Sequence, residues 1–367
     1  MANFGLMSIG SFARRSGLTA SALRFYADAG LLLPTEVDPV SGYRFYRDAQ
    51  LEQAVLLRRL REIGMPLATA KSVLSAGRDD AVLLVDEHLD TVVGGARAAR
   101  QQAAIIKAAL AAAPAPVVVA VSGPVLAAAI EQVLTATTDD PDIAVLGGVR
   151  FEADSGVVTV TATDRYRLST RTLAVDNAHS VTWAATVSGD DLHSCLTDLR
   201  RAPLARIEAT EHGIWMRLPD RTDRHCRLLA EPFPDFRSML GALPAVTTRI
   251  QASKTLLLRA LEERSAGLIS IHATEAQVTV GDNCNGPGTG ICLPARVSGT
   301  SVEVWFEMTT LYPAISTAIG ADVLLDLAGP ELPATVRSAD NRDLTTLVMP
   351  TKPRPAEENT EPKEEDE

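Results

Sequence analysis

The residues able to do chemistry gather near the start of the chain. Arg24, Tyr26, Tyr43, Arg44 and Tyr46 follow one another closely behind Thr19. Arginine serves phosphates and guanine edges, and tyrosine hydroxyls serve phosphates, so this grouping points to nucleic-acid contact. Elsewhere the reactive residues do not assemble. Cys195, Cys226, Cys284 and Cys292 contain no C-x-x-C pair, and none has a histidine at zinc-site spacing. His88, His179, His193, His212, His225 and His272 are scattered, and no G-x-S-x-G motif occurs. The glycine-rich stretch GDNCNGPGTG, Gly281–Gly290, lacks the Lys-Ser/Thr of a P-loop and the acidic end of a calcium loop. It reads as a long turn. The chain is therefore not expected to be an enzyme, and no metal or cofactor is expected.

Helices and a small sheet must position the N-terminal group. Ile9 to Ser16 reads as a short amphipathic helix closed by Gly17. Thr19 is a good N-cap for a second helix carrying Ala22, Leu23, Phe25 and Tyr26, with Gly30 as its C′ residue. The stretch LLLPTEVDPVSGYRFY alternates around a Pro/Asp/Ser/Gly cluster, which predicts a hairpin or wing. A third helix is expected from Asp48 to Gly64, and a fourth from near Pro66. Phe25 and Phe45 are expected in the core, while Tyr43 fits either packing or contact.

Length and composition set the rest of the frame. A chain of 367 residues suggests two or three domains. Apolar residues at 46% and charged residues at 22% are ordinary for a globular protein and exclude a mostly disordered or fibrous chain. Aromatics are only 4%, so the cores must be aliphatic. Four cysteines cannot form a disulfide scaffold, which predicts a reducing compartment. No leader or unbroken apolar span is apparent, so a cytoplasmic, nucleoid-associated protein with no membrane partner is expected. The net charge is −11, but residues 1–71 carry 9 basic and 6 acidic residues and residues 352–367 carry 3 basic and 7 acidic ones. A basic head on an acidic body fits a small nucleic-acid-binding module carried by something else.

From Asp79 to Ala113 one long helix is predicted. Val82, Val85, Leu89, Val92, Ala96, Ala99, Ala103, Ile106 and Leu110 are spaced by alternating steps of 3 and 4. That is a heptad seam, and it predicts a homodimer held by a coiled coil. The central alanines would let two helices approach closely. Pro114 and Pro116 mark a linker. Beyond them, strands are expected at Ala144–Ala153 and Val157–Thr163, joined by the hairpin signal Asp154-Ser155-Gly156, with no element between the strands Cys226–Leu229 and Thr247–Gln251 or between Gln277–Gly281 and Val302–Phe306. Two stretches share a strand–helix–strands–helix–strands order, which predicts two similar α+β domains in tandem. The expected organisation is a DNA-binding head over 1–75, a coiled-coil helix over 79–113, domains over 116–244 and 245–351, and a disordered acidic tail over 352–367.

Two resemblances sharpen this reading. At Ile9-Gly10-Ser11-Phe12-Ala13, Gly17-Leu18-Thr19, Leu23-Arg24-Phe25-Tyr26, Gly30-Leu31-Leu32, Gly42-Tyr43-Arg44-Phe45-Tyr46 and Leu60-Arg61-Glu62-Ile63-Gly64-Met65, the chain resembles the MerR family of transcription regulators. The resemblance implies a winged helix–turn–helix that binds double-stranded promoter DNA as a dimer through an antiparallel coiled coil. Family members typically sit on promoters with an overlong spacer and distort the DNA. By position, it places Arg24 and Tyr26 on or beside the recognition helix, and Arg44 and Tyr46 on the wing near phosphates. Metal-sensing members carry cysteines around the coiled coil, and this chain has none before Cys195.

The second part, at Gly148-Val149-Arg150-Phe151-Glu152-Ala153, Thr161-Ala162-Thr163-Asp164-Arg165-Tyr166-Arg167-Leu168, Phe233-Pro234-Asp235-Phe236 and Leu347-Val348-Met349-Pro350, is similar to the bacterial DNA polymerase III beta sliding clamp. The likeness covers the clamp's middle and last domains. It implies a peptide pocket walled by Thr163, Tyr166, Arg167, Leu168, Pro244, Val348, Met349 and Pro350. Clamp rings have six such domains, whereas two chains here supply four. The expected function is a MerR-type transcription regulator whose clamp-like body binds an effector or partner. That ligand would be a clamp-binding peptide or a clamp-targeting natural product. The alternative is a replication or repair accessory factor, a beta-clamp-like subunit tethered to DNA by its helix–turn–helix. A third reading is a trimeric ring.

Overall fold

The computed structural model describes residues 5–110, 116–140, 142–175, 182–264, 267–275, 277–282 and 290–352. The end of the expected coiled coil at 111–113, Cys284, His179 and nearly all of the acidic tail lie outside the described residues. The chain divides into two compact units, Met1–Leu110 and Ala111–Glu367.

In the first unit, β1 (Leu6–Ser8) leads directly into α1 (Ile9–Ser16), and α2 (Ala20–Asp28) follows. Gly17 holds φ 72°, a left-handed conformation that lets its N–H reach the Ala13 carbonyl and end α1. Thr19 Oγ1 accepts from the Ala22 N–H at 3.0 Å and so starts α2. The wing is β2 (Glu36–Val37) and β3 (Arg44–Arg47), with β3 central in a three-stranded sheet of order β1-β3-β2. A 3-10 turn at Asp48–Gln50 leads to α3 (Leu51–Glu62), then α4 (Leu67–Ser75) and α5 (Arg78–Leu110). Phe12, Leu23, Leu32, Tyr46, Leu57 and Met65 form the buried centre, and Ala81, Leu84 and Val85 at the start of α5 pack against it. Each such side chain contributes about 1.5–3 kcal/mol by leaving water.

The second unit repeats one motif. Its first half runs β4 (Val117–Val121), α6 (Gly123–Leu134), β5 (Gly148–Asp154), β6 (Val157–Thr163), β7 (Arg167–Ala174) and β8 (Trp183–Ser188). It continues through α7 (Gly189–Arg201), β9 (Ala205–Ala209), β10 (Gly213–Arg217) and β11 (Arg224–Arg227). A short helix, α8 (Phe236–Gly241), leads out of it. The second half runs β12 (Thr248–Ser253), α9 (Lys254–Glu262), β13 (Leu268–Ala273), β14 (Gln277–Asp282), β15 (Ile291–Gly299) and β16 (Val302–Glu307). It ends with α10 (Met308–Thr317), β17 (Asp322–Leu327), β18 (Ala334–Ser338) and β19 (Leu344–Val348). The order is strand, helix, four strands, helix, three strands, twice. This is the tandem α+β arrangement that the sequence predicts.

Local chemistry explains the turns and contacts. Asp154-Ser155-Gly156 forms the β5–β6 hairpin with φ 48° at Ser155 and 80° at Gly156, both positive as a type I′ turn demands. Gly123 lets the start of α6 meet the end of α7. A Cβ there would lie 2.2 Å from the Ala202 carbonyl oxygen.

The halves differ in how they close. β12 pairs with β15, whereas β7 pairs with β19 of the other half. One twelve-stranded sheet therefore runs through both halves, beside a four-stranded sheet β11-β10-β9-β4. Three expectations are corrected. The strand expected from Ala144 begins at Gly148, after a 3-10 turn. Neither β15 nor α8 is expected from the sequence, and both are present.

Candidate functional site

In the head, α2 and β3 carry the expected contact residues. Arg24 is exposed on α2 and has no ion-pair partner among the described residues. Arg44 sits on β3, and its Nη2 donates to Asp28 Oδ1 at 2.9 Å. That pair ties the wing to the last turn of α2 and leaves the Arg44 side chain 28% exposed. Asp28 is therefore a positioning residue that sequence reasoning missed. It lies 16 residues from Arg44, and nothing local signals the pairing. Thr19 holds the start of α2, and Tyr43 is exposed beside Phe45.

The aromatic assignments are reversed. Tyr26 and Tyr46 are buried, whereas Phe25 is exposed and Phe45 half-buried. The Tyr46 ring stacks on Phe12 with centroids 4.6 Å apart, and its hydroxyl has no partner. Burial raises the Tyr46 phenol above its ordinary value. Tyr46 therefore cannot meet a phosphate as the wing position implied. The register decides it, because β3 turns Tyr46 toward α1 and Arg47 to solvent.

On α5, Leu89, Val92, Ala96, Ala99, Ala103, Ile106 and Leu110 are exposed, and Val85 is half-buried against the head. The seam is thus an uncovered apolar stripe in the single chain.

In the body, several of the residues expected to wall a pocket gather around the β6–β7 turn and the end of β19. Thr163 Oγ1 donates to the Arg167 carbonyl at 2.7 Å. The Asp164 carboxylate accepts from the backbone N–H groups of Tyr166 and Arg167 and from Arg167 Nε at 2.9 Å. Arg167 Nη1 also donates to the Thr309 carbonyl in the first turn of α10 at 3.0 Å. The Met349 N–H donates to the Tyr166 carbonyl at 2.8 Å, so the exposed Tyr166 and Met349 are neighbours. Leu168 is buried with Phe236 and Leu347, and Phe233, Leu240 and Leu243 pack alongside. Pro350 is half-buried and Pro244 is exposed.

One expected wall residue is misplaced. Leu347 lies opposite Leu168 in the β7–β19 register, and Val348 opposite Arg167. Alternation turns Val348 into the core of the second half, where it is fully buried. Leu347, one position earlier, is the residue that packs with Leu168.

Comparison with known proteins follows the same division. Residues 7–77 match the MerR HTH family regulatory protein, and residues 120–235 match the central domain of the DNA polymerase III beta subunit. Over 64 residues the chain is 39% identical to the multidrug-efflux transporter 1 regulator of Bacillus subtilis, covering 17% of this chain and 23% of that protein. Over 73 residues it is 34% identical to the HTH-type transcriptional regulator CueR of Salmonella typhi, covering 20% of this chain and 52% of that one. The chain thus spans about half or less of the curated relatives it matches. Among solved structures, the sliding clamp of Bacillus subtilis aligns with TM-score 0.60 and 20% identity, covering 65% of each chain. A putative beta subunit from Eubacterium rectale aligns with TM-score 0.60 and 17% identity, covering 66% of this chain and 67% of that one. The clamp of Pseudomonas aeruginosa, solved bound to griselimycin, aligns with TM-score 0.60 and 18% identity, covering 65% and 66%. At these identities the likeness is one of fold. The chain therefore carries a MerR-type helix–turn–helix domain at its N-terminus, fused to DNA polymerase III beta clamp-like domains.

Proposed function

We propose that this chain is a transcription regulator of the cytoplasm and nucleoid. Its head binds double-stranded promoter DNA as a homodimer, and its clamp-like body receives an effector or partner. The observation that carries the reading is where free positive charge lies. The head exposes an unpaired Arg24 on an N-capped helix beside a wing. The four principal helices of the body, α6, α7, α9 and α10, hold four cations and five carboxylates. Of those cations, Arg200 pairs with Glu131 at 2.6 Å and Arg259 with Glu263 at 3.0 Å. Lys254 Nζ is turned onto the Ala318 carbonyl at 2.6 Å. A surface that encircles DNA needs net positive charge facing phosphates. These helices lack it, which argues against the replication-factor and ring readings.

The effector reading rests on the groove at Thr163, Tyr166–Leu168 and Leu347–Pro350. The reading is supported by exposed Tyr166 and Met349 standing next to buried apolar Leu168 and Leu347, with fixed polar groups beside them. Such composition suits a small ligand or a short peptide. One clamp of this fold binds griselimycin, and one relative of the head regulates a multidrug-efflux transporter. Together they support a sensor of a clamp-targeting natural product. For such a ligand to regulate, it must bind the DNA-competent and DNA-incompetent states unequally. The exposed seam on α5 supports the homodimer, with a second copy of α5 as its cover.

Genome-wide mapping of bound sites tests the regulator. A small set of promoters supports it, whereas signal spread over replicating DNA favours the accessory-factor reading. Calorimetry with griselimycin and with a clamp-binding peptide tests the groove. Absence of heat with both at high micromolar concentration removes the effector role.

A further inference from the structure

We propose that Cys195 and Cys226 form a dithiol modification site, which hydroperoxide-class oxidants convert into an intramolecular disulfide tying α7 to β11. The two Sγ atoms are in contact at 3.6 Å, although the residues are 31 apart in sequence. Both belong to the buried core of the first clamp-like half. A disulfide has an S–S length of about 2.0 Å, so the sulfurs must close by roughly 1.6 Å. Cys195 stands on a helix face and Cys226 on an edge strand of the four-stranded sheet, so the closure is a shift of α7 against β11.

The two thiols are not equivalent. Cys195 Sγ lies 3.1 Å from the Asp191 carbonyl and touches Ser194 as well as Cys226. A hydrogen bond from the Cys226 thiol holds the Cys195 thiol below its ordinary value, while the same contact and burial push Cys226 up. Asp191 and Arg224 face the pair with opposite charges. Because local opening of α7 carries Cys195 toward solvent while Cys226 stays fully buried on its strand, Cys195 is assigned as the attacking thiolate and Cys226 as the resolving thiol.

With hydrogen peroxide the chemistry closes. The Cys195 thiolate attacks one peroxide oxygen, the O–O bond breaks, and the departing hydroxide takes up the proton from Cys195 to leave as water. The Cys226 sulfur then attacks the resulting sulfenic sulfur. The S–S bond forms, the S–O bond breaks, and the second water carries away the Cys226 proton. Two thiols lose two electrons and two protons, and one peroxide becomes two waters.

The bond would act on a cavity. A cleft of about 430 Å³ is lined by Asp190 and His193 of α7 and by Arg227, the residue after Cys226. Oxidation draws these two walls together from behind. Because both sulfurs are buried, peroxide reaches them through local opening of α7, more slowly than it reaches the exposed Cys292.

The test uses the native full-length chain. It is treated with hydrogen peroxide, quenched, unfolded, alkylated and mapped by mass spectrometry. The expected product is a Cys195–Cys226 cross-linked peptide, about 2 Da lighter than the two thiol peptides and released by dithiothreitol. Cys292 serves as the internal marker of exposure to oxidant. The proposal fails if Cys292 is fully modified while Cys195 and Cys226 are both recovered as free thiols, or if either pairs elsewhere. Cys195→Ala should abolish the cross-link, and the wild-type map decides the matter even where that variant folds poorly.

Discussion

The head and the body both carry many arginines but dispose of the charge differently. On the head, Arg24 stands in solvent without an ion-pair partner among the described residues, and Arg44 is held by a single aspartate at the end of the same helix. On the body, Arg200, Arg224 and Arg259 each meet a carboxylate, and Arg217 meets two, Glu208 and Asp223. A count of basic residues does not separate the two regions, but their pairing does. We assign nucleic-acid contact to the head because its Arg24 stays free to displace counterions, although Arg15, Arg44 and Arg58 are paired.

Four measurements break or sharpen that contrast. The largest effect is expected from Leu89→Asp combined with Ile106→Asp. Burying unpaired charge in the seam costs several kcal/mol per ion. Sedimentation should show monomers, and DNA binding should collapse. Next comes Leu168→Ala, which empties a buried site and should cost about 2–5 kcal/mol. The unfolding transition of the body should shift while ligand-free DNA affinity stays unchanged. Met349→Ala, on the exposed rim, should weaken griselimycin binding with little loss of stability.

Arg24→Ala ranks third. It should weaken DNA binding by about 1–3 kcal/mol if the guanidinium reads a base. Fluorescence anisotropy should find Arg201→Ala within about twofold of wild type, since a contact not made costs nothing. Equal losses at both positions would erase the distinction between head and body. The smallest effect belongs to Tyr46→Phe. Removing an unpartnered buried hydroxyl should be neutral or stabilising by up to about 1 kcal/mol, with DNA affinity unchanged. The raised Tyr46 phenol contributes stability that is fully present below the unfolded value of about 10. That contribution is lost as pH rises through the folded value, so the alkaline decline should be shallower in the variant.

The elements were largely legible because their signals are local. Thr19, Gly17 and the Ser155–Gly156 turn each state a boundary within a few residues, and the structure uses each in that role. What stayed hidden depends on register or distant pairing. Composition cannot say which member of a Phe–Tyr pair faces inward, since both are large and apolar. The sheet turns Tyr46 in and α2 turns Tyr26 in. Nor can it choose between Leu347 and Val348, where one residue decides the face. β15 escaped because its side chains are mostly exposed and a proline inside the run, Pro294, counts against a strand although it falls on the outward face. Asp28 and the Cys195–Cys226 contact arise only once separate elements meet in space.

The β7–β19 ladder has a consequence for how the chain is made. It pairs Arg167 with Val348 and Arg171 with Leu344, so the first clamp-like half borrows its neighbour from the end of the second. A ribosome extends a chain at about 5–20 residues per second, which leaves the β7 edge without that partner for roughly 10–35 s after it emerges. During that interval a bare strand edge, with an open Leu168, is a template for pairing between nascent chains. Truncation anywhere before Leu344 makes that interval permanent. Shortened forms should therefore need a chaperone or collect in inclusion bodies, whereas the full chain covers the edge itself as its last strand arrives.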